Sequence, residues 1–111
     1  MAVDVEAFRK EVYNVVASIP VGKVLSYGQI AWLVGCPNHS RLVGRMLHGA
    51  AESEGLPCHR VVNNVGRLVP GWTEKRDLLE DVGVTFRTNR CVVMKNWHWK
   101  LDELFPIDIF L

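Results

Sequence analysis

The sequence predicts a mainly α-helical fold with minor β structure, a single helix-turn-helix domain of winged-helix-like form. Three observations lead there. The chain has 111 residues, 49% of them hydrophobic, which suits one compact core and no second. Apolar residues recur at three- and four-residue steps in several segments, each bounded by residues that start or stop helices. Two of these segments are short and joined by a tight turn.

Taken in order, Asp4 caps a first helix whose apolar positions are Phe8, Val12, Val15, Val16 and Ile19, and Pro20 with Gly22 ends it. After a turn at Val21-Gly22-Lys23, Ser26 and Gln29 form a capping-box start to a second helix through Ile30, Ala31, Leu33 and Val34, with Gly35 as its stop. Cys36-Pro37-Asn38-His39-Ser40 is turn chemistry leading to a third helix with Leu42, Val43, Met46 and Leu47, and Gly49 beyond. Ala50 to Gly55 reads as a loop, and Leu56 to Val62 as a rigid proline followed by a short β segment that carries Cys58. Asn63-Asn64-Val65-Gly66 and Pro70-Gly71-Trp72 read as turns. Thr73 is placed to cap a last helix with Leu78, Leu79 and Val82 before Gly83, and Thr85-Phe86 and Val92-Val93-Met94 read as short strands. The domain is expected over residues 1–100, with an acidic and apolar tail over 101–111.

Composition narrows the class. No apolar run approaches the roughly 20 residues of a membrane span, and the N-terminus lacks a signal-peptide pattern, so a soluble, cytoplasmic protein is expected. Cys36, Cys58 and Cys91 are odd in number and widely spaced, a poor disulfide framework that suits a reducing compartment. The net charge of +1 hides an asymmetry: Asn38 to Arg67 holds Arg41, Arg45, Arg60 and Arg67 against Glu52 and Glu54, while the tail is acidic. On charge alone the basic middle reads as an ordinary solvated face.

Chemistry concentrates at Cys58. A thiol is a strong nucleophile only as thiolate, and His59 and Arg60 beside it offer a base and a positive field, although a Cys next to Val61 and Val62 is by spacing alone more often a small buried hydrophobe than a catalyst. Cys36 and His39 have C-x-x-H spacing, but a second regular pair is missing and zinc is not expected. A sequence-reading regulator would place polar base-reading residues at the start of the third helix. Arg41 is instead followed by Leu42, Val43 and Gly44. Gly44, costly inside a helix, points to close approach by DNA or another helix.

Pro57-Cys58-His59-Arg60-Val61 matches the P-C-H-R-V motif of the O6-alkylguanine-DNA alkyltransferases and their alkyltransferase-like relatives. Val24 to Ala31 resembles the start of that family's first DNA-binding helix, and Ser40 to Leu47 its recognition helix, in the same order and spacing. The likeness spans about Phe8 to Phe86. It implies a monomeric DNA-repair protein that enters the minor groove of double-stranded DNA and flips out an O6-alkylguanine. By that resemblance Tyr27 crowds the phosphate of the flipped nucleotide and Arg41 fills the gap in the stack. Ser40, Gly44, Arg45 and Arg60 belong to the DNA face, and Tyr27, Pro57, Val69 and Trp72 to the lesion pocket. Cys58 accepts the alkyl group once, as a single-turnover methylated-DNA-protein-cysteine S-methyltransferase, with His59 as base and no metal or organic cofactor.

Two departures matter. The family's last helix carries a glutamate that orients the histidine, and here that position is Val82; Glu80 and Asp81 are offset by about 200 and 100 degrees around a helix. Gly66 to Trp72 resembles the alkyltransferase-like branch, whose members usually have Trp at the position of Cys58 and bind the lesion without transfer, flagging it to nucleotide excision repair proteins. A non-enzymatic damage sensor is therefore the alternative reading.

Overall fold

The computed structural model describes residues 4–68 and 72–100, with the backbone alone at residues 72 and 73. Helix α1 (Val5–Ser18) begins where Asp4 accepts the Ala7 N–H at 3.2 Å, and it buries Phe8, Val12 and Val16 as its periodicity predicts. Helix α2 (Tyr27–Leu33) begins where Ser26 Oγ accepts the Gln29 N–H at 3.0 Å. Its end is a Schellman turn: Cys36 N–H reaches Ala31 O at 2.9 Å and Gly35 N–H reaches Trp32 O at 3.0 Å. Gly35 sits there at φ +82°, which a side chain would strain. Helix α3 (Ser40–Leu47) presents Val43, Met46 and Leu47 to the core. Tyr13 donates its hydroxyl to Met46 O at 3.1 Å, tying α1 to the last turn of α3. The mainly helical fold and its helix-turn-helix are as the sequence predicts.

Corrections begin after Leu47. The segment expected as a loop contains one helical turn, α4 (Ala50–Ser53), because Gly49 at φ +76° reverses the chain and its carbonyl accepts from Glu52 and Ser53. Four residues are too few for periodicity to show. The expected β segment contracts to β2 (Val61–Val62), and Cys58–Arg60 instead form a 3-10 turn closed by Arg60 N–H on Pro57 O at 3.0 Å. β2 pairs in parallel with β1 (Leu25–Ser26), in the register Leu25–Val61 and Ser26–Val62. β1 is too short to be read from alternation.

Helix α5 (Trp72–Glu80) contains Thr73, which therefore lies inside the helix rather than capping it. Of its expected apolar face Leu79 is fully buried, while Leu78 is 50% and Val82 43% exposed. Adjacent helical residues diverge by about 100 degrees, so Leu78 and Leu79 cannot share one face. The short strands expected at Thr85-Phe86 and Val92-Val93-Met94 are reduced to an isolated antiparallel bridge, Phe86–Val92, and Met94 opens a final turn, α6 (Met94–Trp97). The α1–α2–α3 core and a smaller cluster of Val24, Val62, Leu68, Leu79, Val84 and Val92 meet along the β1–β2 pair. The 3-10 turn bearing Cys58 enters that junction directly ahead of β2. No helix among the described residues is long and apolar enough to cross a membrane.

Candidate functional site

Tyr27, the first residue of α2, separates two concavities. On one side a groove of about 310 Å³ runs between the start of α3, with Ser40 and Arg41, and the turn Asn63-Asn64-Val65. That turn is fixed by Asn63 Oδ1, which accepts the N–H groups of Val65 at 3.1 Å and Arg67 at 2.9 Å. Arg41 and Arg45 are both exposed and four residues apart, so they project from neighbouring positions on one face of α3. A recognition helix with two cations on its open face is suited to phosphates.

On the other side lies a cavity of about 470 Å³. Tyr27, Gly44, Leu47 and His48 line it from α2 and from α3 and its cap, Gly49, Ala51 and Glu52 from α4 and its start, Cys58, His59 and Val61 from the 3-10 turn and β2, and Glu74, Lys75 and Leu78 from α5. Gly44 faces the Tyr27 ring with room to spare: a Cβ built there would stand 3.9 Å from Cε1 and 4.0 Å from Cδ1, ordinary contact distances. The backbone at Gly44 is therefore not in unusually close approach to another helix. The cavity joins α2, α3, α4, the 3-10 turn and α5, elements spread over most of the chain.

Cys58 is 7% exposed, and its thiol donates to Leu47 O with S···O 3.9 Å. Burial pushes the thiol above its ordinary value, while the Lys75 ammonium and the Ala51 N–H favour the thiolate. Burial, then the cations Arg60 and Lys75, hold His59 below the usual imidazole range, so its ring is kept neutral and able to accept a proton. Burial raises Tyr27, helped by Cys58. Burial lowers Lys75, and Cys58 opposes that shift.

Cys58, His59, Tyr27 and Gly44 therefore meet at one cavity, and Tyr27, Ser40 and Arg41 at the adjoining groove. Arg60, expected on the DNA face, instead donates from Nη1 to Ile19 O at 2.9 Å and holds the end of α1. Pro57 precedes the 3-10 turn and is half-buried, shaping the turn without lining the cavity. Val69 lies outside the described residues, as does the tail at 101–111, and Trp72 is placed only as the first residue of α5. Val82 follows α5, its N–H on Leu79 O at 3.2 Å, and does not line the cavity. Sequence reasoning missed Leu47, Ala51, Glu52, Glu74, Lys75 and Leu78. Only the three-residue steps from Gly44 to Leu47 and from Lys75 to Leu78 hinted that each pair shares a face. His39, at the start of α3, packs its ring against Phe8 at 6.3 Å, and no group of three metal-binding side chains occurs among the described residues.

Residues 7–84 match the family model for the 6-O-methylguanine DNA methyltransferase DNA-binding domain. Alkyltransferase-like protein 1 of Schizosaccharomyces pombe is 37% identical over 84 residues, covering 71% of this chain and 78% of that protein. Its crystal structure in complex with damaged DNA containing O6-carboxymethylguanine superposes with TM-score 0.75 at 32% identity, covering 90% of this chain and 99% of that one. The DNA base-flipping protein of Escherichia coli is 34% identical over 97 residues, covering 85% of this chain and 75% of its own. The O6-methylguanine methyltransferase of Mycobacterium tuberculosis matches with TM-score 0.58 at 35% identity over 72% of this chain, which spans only 48% of that enzyme.

Proposed function

Since the chain belongs to the 6-O-methylguanine DNA methyltransferase DNA-binding family, we propose that it binds O6-alkylguanine in duplex DNA and accepts the alkyl group on Cys58. In this reading α3 lies in the minor groove with Arg41 in the base stack, and the flipped guanine enters the cavity past Tyr27. The observation that carries the proposal is the position of Cys58 on the wall of a cavity that opens beside the recognition helix. The reaction is one displacement. His59, kept neutral, takes the thiol proton through a water; the sulfur attacks the alkyl carbon; the carbon–O6 bond breaks, and its electron pair leaves on guanine, which is protonated in turn. The cysteine thioether is not regenerated, so each molecule acts once.

A second reading is favoured by a specific observation: the Cys58 thiol is buried and donates to the Leu47 carbonyl, an arrangement that holds the proton on sulfur. A chain that never ionises this thiol is a lesion sensor, in keeping with the alkyltransferase-like and base-flipping names of its relatives. Handing the lesion to nucleotide excision repair proteins belongs to this second reading. The intact mass after incubation with excess DNA containing O6-methylguanine decides between them. A gain of one methylene on the Cys58 peptide, absent in Cys58→Ser, supports transfer. Tight lesion-selective binding without that mass supports the sensor, and equal affinity for damaged and undamaged duplex defeats both.

A further inference from the structure

Cys58 is surrounded by more charge than its own motif supplies. Tyr27 lines its cavity from α2, His59 and Arg60 follow it on the 3-10 turn, and His48, Glu52, Glu74 and Lys75 line the same cavity from the end of α3, from α4 and from α5. His48, Glu52 and Glu74 are exposed, where water screens them. Arg60 is engaged with the Ile19 carbonyl. Lys75 is half-buried on the helix packed against the 3-10 turn, and it lines the cavity together with Cys58. The carboxylate that the family resemblance would put behind His59 is replaced by Val82, which is exposed and away from the cavity.

We propose that Lys75 is the group that activates Cys58: its ammonium stabilises the thiolate directly, in place of a carboxylate acting through His59. The proposal rests on the transfer reading for its biological use, but the ionisation itself does not require DNA. The thiol proton goes to neutral His59, the ammonium gives up no proton in the step, its charge favoured by Cys58 against the opposing effect of burial, and the Ala51 N–H supplies a second contact to the thiolate. Lys75 also lowers the basicity of His59, which keeps that acceptor vacant at neutral pH. Activation by a fixed cation has its own signature. Neutralising the cation raises the thiol's ionisation midpoint, and moving the same charge onto another long side chain restores it.

The test is the rate of Cys58 carboxamidomethylation by iodoacetamide against pH, followed on the Cys58 peptide by mass spectrometry so that Cys36 and Cys91 do not contribute. The full chain is compared with Lys75→Met, Lys75→Gln and Lys75→Arg, each checked for native circular dichroism. Both neutral variants should move the midpoint up by about one pH unit and slow labelling at neutral pH by about tenfold, and Lys75→Arg should stay near the parent. An unchanged midpoint in either folded neutral variant overturns the proposal, whatever transfer is seen. A midpoint that rises equally in Lys75→Arg also overturns it, since packing rather than charge would be responsible. A shift confined to the neutral variants, in a chain that transfers no methyl group, leaves Lys75 in its role and removes the transfer reading instead.

Discussion

The two sides of Tyr27 are built by different rules. The groove side is a helix-turn-helix whose parts are neighbours in sequence: a serine cap three residues ahead of its N–H partner, a left-handed glycine at the stop, and an apolar stripe on α3. The cavity side gathers residues from Tyr27 to Leu78, and its central thiol is governed by Leu47, Ala51 and Lys75 from three separate elements. Local rules place a recognition helix wherever the sequence contains one. The reactivity of a cysteine depends on what the rest of the chain folds around it. The proposed damage binding and the proposed alkyl transfer therefore rest on separate features of the molecule, which can be perturbed one at a time.

The largest expected effect is pH on the cavity side. Burial holds Cys58 above the ordinary thiol range, so the thiolate fraction at neutral pH is below the few per cent of a free cysteine. Deprotonation gains with rising pH, and single-turnover transfer from O6-methylguanine DNA should climb by up to about tenfold per pH unit until the thiol ionises. His59 is depressed, so it stays neutral through that range and imposes no fall of its own. Lesion binding should not follow that climb from pH 6.5 to 8.5, because the groove that holds Arg41 lies on the other side of Tyr27 from the thiol. A flat transfer profile would mean that the thiol ionises freely and the contrast between the two sides is wrong.

Next in size is the pair Arg41→Ala and Arg60→Ala, two arginines that the sequence presents alike. Arg41 is exposed at the groove, and its loss should weaken lesion binding by about tenfold or more, the equivalent of one charged hydrogen bond, with little change in melting temperature. Arg60 holds the Ile19 carbonyl, and its loss should lower stability by about 1 to 2 kcal/mol while damage selectivity survives. Gel-shift titration and thermal unfolding of both variants check this. Opposite assignments would exchange their roles.

That pair also shows where the sequence was legible and where it was not. The helices of the groove side were readable because capping and periodicity act over three or four residues, and Asp4, Ser26 and Gly35 do what their chemistry predicts. Cys58, His59 and Tyr27 were identified through the family's motifs, which carry three-dimensional information that spacing does not. The bond from Arg60 to Ile19 O was not foreseen, because the two lie 41 positions apart and an arginine two residues from a cysteine in this motif reads first as a site residue. Lys75 was missed for the same reason, since nothing in Glu74-Lys75-Arg76 shows from sequence that Glu74 and Lys75 line the cavity and Arg76 does not. The turn α4 and the strand β1 were missed because each is shorter than the window in which a period can be seen.

The smallest expected effect is also the sharpest test of the boundary between the two sides. Gly44 lies within α3, where glycine costs about 0.5 to 1 kcal/mol relative to alanine, so stability alone favours replacing it. A Cβ there would make only ordinary contact with the Tyr27 ring, 3.9 Å at the nearest, and would therefore add no strain. Gly44→Ala should consequently raise the unfolding free energy by about that amount in chemical denaturation. The new methyl group would occupy the edge of the cavity where α3 passes Tyr27, on the route we propose for the flipped guanine, and lesion affinity should fall by a few fold. Affinity for undamaged duplex should hold, since Arg41 and Arg45 are untouched. If the variant is more stable and binds the lesion as well as the parent, Gly44 is not part of the passage, and the guanine must enter the cavity from the α4–α5 side.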